Sequence, residues 1–306
     1  MRGDRSRQRE FAIELLEQSD SPEVLPAVLD VLAQQPGSDL RSLLHAKFAA
    51  LEPGPRKRDP GGFVRAAIIR VLQAVAGPED VPVFERAIAA YEPTPADTNG
   101  PTILRAAGLV ALAAVDARSA ALQAVTLLAR PDRSSHMTGE PALTAVRVLA
   151  ALGEEMALYL FALAGLSPLS VAHATSPEVV AEAVRGLSSL PASHLLAMFN
   201  VSSSNDAVIE AAFIDVAIEH SPDAALTTWL ATFLRNTRND DLYAFAVTSI
   251  VAKHGDHLLT MLQSVAATET APARLRTLES SLAMLAGDSR VDAALAEIRT
   301  RIALSS

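Results

Sequence analysis

Cysteine is absent from the 306 residues, which excludes disulfide staples, thiolate catalysis and cysteine-held metals. Aromatic residues make up only 4% of the chain, with a single Trp. A core with so few rings must be built from close contacts between small and aliphatic side chains. No stretch approaches the ~18 consecutive apolar residues that would span a membrane. No run of alternating β-branched residues is long enough to predict a sheet. The opening stretch, MRGDRSRQRE, has no apolar core of the kind a secretory signal needs. Together these absences predict a cytoplasmic chain without membrane segments. A phosphate-cradling glycine motif and a nucleophile elbow are missing too.

Half of the residues are apolar, and Ala is the commonest of them. Ala and Leu are the strongest helix formers, so the fold class that follows is all-α. The formal charge is −9, from 35 acidic and 26 basic side chains. A net negative field repels phosphate backbones, which disfavours nucleic acid as a partner unless a local basic patch overrides it. The densest basic cluster beyond the opening stretch is Arg56-Lys57-Arg58, with no aromatic residues interleaved for base stacking.

The chain is organised around Gly61 to Ile88, GGFVRAAIIRVLQAVAGPEDVPVFERAI. This stretch predicts a helix starting at Val64-Arg65, a turn at Gly77-Pro78-Glu79-Asp80, and a second helix. Pro82 falls in the first turn of that second helix, where a missing N–H costs nothing. Arg9 to Leu32 repeats the pattern at an offset of 56, with Arg9 on Arg65, Pro22 on Pro78 and Pro26 on Pro82. The same apolar register predicts helix starts near Gln8, Leu40, Val64, Leu104, Pro141, Val179, Ala207, Leu242 and Arg274, at spacings of 24 to 40 residues. Self-similarity at ~30–45 residues, each unit a helix pair, is the mark of an α-solenoid, because one pair cannot bury its own apolar face. Residues 1–306 are expected to form a single such domain. The short spacing between Leu40 and Val64 predicts that the helix over 39–51 pairs directly with the one starting at Phe63.

Asp59-Pro60 followed by Val64-Arg65-Ala66-Ala67, then Leu104-Arg105-Ala106-Ala107, with a short turn after each, resembles the HEAT-repeat family, including its bacterial HEAT-like, bilin-lyase-type branch. The resemblance implies a superhelical, armadillo-like stack of antiparallel helix pairs. It also implies that Arg9, Arg41, Arg65 and Arg105, at the second position of successive helices, reach carboxylates across the interfaces between repeats. Val180, Val208 and Tyr243 occupy that position further along the chain.

Residues with chemical potential are scattered. His220 and His254 fall at equivalent repeat positions with His257 one turn on, but only Asp256 accompanies them, so solvated helix ends are read in preference to a metal cluster. Ser134-Ser135-His136 and Ser202-Ser203-Ser204 lack a strand, an elbow or a placed acid, and read as polar loops. Gly61-Gly62 reads as a flexible lead into a helix, with an anion at that N-terminus as the alternative. Trp229, within LTTWLATFL, reads as core. No catalytic residue, metal or cofactor follows from the sequence.

Two surfaces are left as candidates for recognition. Long connections (53–62, 92–101, 130–140, 165–177) alternate with short turns (76–80, 116–118, 153–155, 254–256), so the long ones share one edge of the stack. Insertions confined to one edge commonly display a binding surface. Tyr91, Asp97, Asn99, Arg133, His136, Met137 and His173 give this edge its chemical variety. Arg70, Arg147 and Arg185 share the seventh position of their helices, about 150° from the apolar stripe by helical phase. Phe213 is placed with them on a concave face, the alternative being a plain solvated side. The expected function is a non-catalytic protein-interaction module or scaffold whose partner is another protein. The alternatives are a HEAT-like enzyme or accessory lyase, which needs a chromophore-sized pocket, and a nucleic-acid-binding solenoid.

Overall fold

The computed structural model describes residues 2–52, 58–92, 101–130, 138–167, 176–187, 189–202, 206–220 and 222–305. Helix makes up 80% of the structure, and no strand occurs among the described residues. The protein is all-α. Its contacts form two compact units, Met1–Ala157 with Ala172–Val179 and Leu158–Val171 with Val180–Ser306, where the sequence predicts one continuous domain.

In the first unit the helices are α1 (Arg2–Gln18), α2 (Leu25–Ala33), α3 (Arg41–Leu51), α4 (Phe63–Gln73), α5 (Val81–Ala89), α6 (Thr102–Ala113), α7 (Ala117–Ala129) and α8 (Ala142–Ala151). The series α2, α4, α6, α8 lies side by side in one layer, each packed on the next but one in the chain. α5 rests on α4 and α6, α7 on α6 and α8, α1 on α2, and α3 on α4, the last as the short spacing predicts. A helix with neighbours on several sides has to be apolar nearly all round. In α4 every residue from Val64 to Ile69 is buried, along with Val71 and Leu72. The prolines act as expected. Pro26 and Pro82 sit in the first turns of α2 and α5, and Pro78 opens a 3-10 turn, Pro78–Asp80, that leads into α5. The turn after α8 is kept short because Glu154 N–H reaches back to Leu149 O (2.9 Å) and Gly153 N–H to Ala150 O (3.1 Å).

Helices α9 (Glu155–Leu166) and α10 (Pro177–Arg185) contribute residues to both units. The second unit continues with α11 (Ala192–Val201), α12 (Ala207–Glu219), α13 (Ala224–Asn236), α14 (Asp240–Lys253), α15 (Asp256–Thr268), α16 (Pro272–Leu282) and α17 (Ser289–Ser305). Here α12, α14 and α16 make one layer and α11, α13, α15 and α17 the other, with α12–α13, α14–α15 and α16–α17 joining them. Ile214, Leu230, Val247, Leu262 and Leu278 are fully buried between the layers, each stabilising by about 1.5–3 kcal/mol over exposure. Asp206, Asp223 and Asn239 cap α12, α13 and α14 by accepting from the first free backbone N–H groups. Trp229, read as core, is half-buried against this interlayer core, with Phe199 at 4.8 Å and Phe233 at 5.6 Å between ring centroids.

Candidate functional site

Cations that tie one helix pair to the next run through both units. Asp59, just ahead of α4, accepts from the backbone N–H groups of Val64 (2.8 Å) and Arg65 (3.1 Å) and from Arg65 Nε–H (2.8 Å). The other end of the same guanidinium holds Glu92 with two bonds, at 2.6 and 2.8 Å. Asp59 and Arg65 are only 1% and 2% exposed. Burial alone would pull the Arg65 pKa down, but its bonds to Glu92 and Asp59 outweigh this and raise it above the ordinary value. Arg9 makes two bonds to Asp39, both at 2.8 Å. Arg41 and His45 converge on the fully buried Asp80, at 3.2 and 2.6 Å. Arg105 is buried as well. Arg9, Arg41 and Arg65 thus each hold carboxylates of the protein itself.

The column also has a member that the sequence does not suggest. Arg274, near the start of α16, bonds Asp240 (3.0 Å) and Thr237 O, and its guanidinium lies 4.7 Å from the ring centroid of Tyr243. Tyr243 fills the place of the missing arginine, and the cation comes from the next helix pair instead. Burial, then the charge of Glu269, raises the Tyr243 pKa.

Polar side chains gather in the second unit, where the C-terminal ends of α10, α12 and α14 line a groove of about 500 Å³. Its centre is a carboxylate ridge on α12, Asp215 and Glu219, one turn apart. Arg185 Nε–H donates to Asp215 Oδ2 from one side (2.8 Å), and Lys253 Nζ reaches both oxygens of Glu219 from the other (2.8 and 2.9 Å). Val216, Ile218 and Ala252 give the groove apolar surface, and Ser249 adds a hydroxyl. His220 closes α12 with Nδ1 3.0 Å from Val216 O. When Nδ1–H donates there, Nε2 is an acceptor, and it is buried without a partner. Two cations, two anions, a hydroxyl and an apolar strip favour a ligand that is itself mixed in charge and partly apolar. Among the described residues no group of three or more His, Cys, Asp or Glu is placed to hold a metal ion.

Comparisons with protein-family models, with curated proteins and with solved structures return no match. The chain's own geometry therefore carries the functional reading.

The predicted site residues separate into four groups. Asp97, Asn99, Arg133, His136, Met137 and His173 lie outside the described residues, as do Arg56 and Lys57. Tyr91, Arg70 and Arg147 are exposed. Arg185 is at the groove, held by Asp215. Phe213 requires correction, because it is 4% exposed and packs on Phe199 with ring centroids 4.4 Å apart. Asp215, two residues on, is the α12 side chain that faces Arg185. Gly61-Gly62 is also not a flexible lead. Both glycines have left-handed φ (78° and 72°), and a Cβ on Gly62 would sit 2.6 Å from Pro101 Cβ. The groove residues Asp215, Glu219, Ser249 and Lys253 were not singled out from the sequence. The signal for them was available: Lys253 and Glu219 are 34 residues apart, and Asp215 and Arg185 are 30 apart, both close to the repeat length.

Proposed function

We propose that the chain is a HEAT-like α-solenoid that binds a segment of another protein, with the groove of α10, α12 and α14 as the contact surface. The observation that carries this is the carboxylate ridge of Asp215 and Glu219 flanked by Arg185 and Lys253 beside an apolar strip. Such a surface matches an extended peptide, whose side chains mix charge with apolar bulk and whose backbone N–H groups can donate to the ridge carboxylates. Alternate helices packed in layers and ion pairs recurring at about one repeat length support the solenoid assignment. Among the described residues no helix is long and apolar enough to cross a membrane. The long-loop edge is the competing surface of the same module.

The test begins with affinity capture of partners from the native host, identified by mass spectrometry. Binding of the captured partner is then measured for Asp215→Arg and Lys253→Glu variants and for a variant with the connections at 92–101, 130–140 and 165–177 shortened to Gly-Ser turns. The groove variants should weaken binding at least tenfold with little change in melting temperature, while the loop variant should bind normally. The reverse pattern would move the contact surface to the loop edge.

A further inference from the structure

The hairpin of α1 and α2 carries an apolar groove of about 430 Å³ that no other part of the described chain fills. Gln8, Phe11 and Leu15 of α1 form one wall, and Val24, just ahead of α2, with Ala27 and Val31 of α2 the other. Phe11 is 61% exposed and Val24 39%, in a chain with only nine Phe. A single exposed Leu or Val on a protein surface needs no explanation, but a phenylalanine lying open beside a cavity does.

We propose that this groove receives the α1 helix of a second copy of the same chain, related by a two-fold axis close to Phe11. Charge identifies the occupant. At 100° per residue, Gln8, Phe11 and Leu15 form one stripe along α1. Arg7 and Glu14 are seven residues apart, so they share one flank of that stripe, with a drift of only ~20°. Both are exposed. In an antiparallel pair of identical helices, the residues on a given flank face the same flank of the copy. An axis near Phe11 therefore sets Arg7 opposite Glu14 of the second copy and Glu14 opposite its Arg7. The apolar stripe closes on itself between these two ion pairs. A parallel arrangement would instead turn this flank of each helix to the opposite flank of its copy, so that Arg7 and Glu14 would not meet. A stable interface needs roughly 800 Å² from each partner, more than a single short helix offers. The two copies of α2 supply the remainder, completing a four-helix bundle of α1 and α2 from each chain.

The experiment measures the mass of the full-length chain in solution by sedimentation equilibrium at micromolar concentration. The wild type should have twice the 32.2 kDa of the single chain. Phe11→Glu should give the monomer, with an unchanged circular dichroism spectrum because the side chain is exposed. Arg7→Glu and Glu14→Arg should each weaken self-association at least tenfold, since each sets like charges against one another. An equimolar mixture of these two variants should associate again, because both cross pairs are then opposite in sign. A monomeric wild type would overturn the proposal, as would a dimer indifferent to Phe11→Glu or a mixture that stays monomeric.

Discussion

Arg65 and Arg70 lie little more than one turn apart on α4, and the structure gives them opposite roles. Arg65 is buried between Asp59 and Glu92, so removing it leaves the Asp59 carboxylate without its main counter-charge. Breaking a buried pair from one side costs about 3–5 kcal/mol. Arg65→Ala should therefore destabilise by roughly 3 kcal/mol, while Arg70→Ala should fall within about 0.5 kcal/mol of the wild type. Arg65→Lys should recover only part of the loss, because an ammonium cannot make the two-pronged bond to Glu92. Urea unfolding of the three variants measures this, and equal losses for Arg65→Ala and Arg70→Ala would contradict the assignment. Tyr243 provides the opposite case. Its hydroxyl is buried without a hydrogen-bond partner, while its ring lies against Arg274. Removing an unsatisfied buried hydroxyl relieves a desolvation cost of about 1 kcal/mol and leaves the ring contact in place. Tyr243→Phe should match or exceed the wild-type melting temperature. A fall of several degrees would show that the hydroxyl makes a bond of its own.

At the scale of the helix, α5 and α6 pack closely in the first unit. A Cβ on Gly108 would lie 2.8 Å from Ala87 Cβ and 3.0 Å from Phe84 O. Alanine is the better helix former by about 1 kcal/mol, so an isolated α6 would gain from Gly108→Ala. In the folded chain the extra methyl meets backbone that cannot rotate away, and overpacking of this kind costs about 1–3 kcal/mol. The variant should melt below the wild type, and a rise would show that α5 and α6 can separate without loss. Helices themselves were legible in the sequence. From Leu40 to Arg274, every predicted start lies within two residues of an observed one, because the apolar stripe, the prolines and the capping acids agree locally. The phase of α12 was not legible. Its buried residues, Ile209, Ala212, Phe213, Ile214, Val216, Ala217 and Ile218, encircle the helix, so no single stripe marks its inner side. That ambiguity put the buried Phe213 on the concave face. Arg274 escaped notice for a different reason, since its partners come from the preceding helix pair and only packing brings them together.

For the whole molecule, the net charge of −9 understates how few cations are available to a phosphate backbone. Affinity for nucleic acid comes from releasing counterions, and only cations not already neutralised can do this. Arg9, Arg65, Arg86, Arg185, Lys253 and Arg274 each hold a carboxylate of the protein itself. Arg58, the described member of the one dense basic run, bonds the neutral Ala50 O (3.0 Å) and keeps its charge, a single cation and not a track. The groove proposed for a protein partner pairs each of its cations with an anion, so it presents no basic track either. Phe213, the ring nearest to that groove in sequence, and Trp229 are packed with other aromatics and not splayed for base stacking. At physiological salt, binding to duplex or single-stranded DNA should be no tighter than the non-specific range of about 10⁻⁴ to 10⁻⁶ M. What binding there is should weaken steeply as salt is added. Fluorescence anisotropy with labelled duplex and single strands measures both properties. Nanomolar affinity that persists at high salt would require a basic surface absent from the described residues, and would replace the protein-binding assignment with a nucleic-acid one.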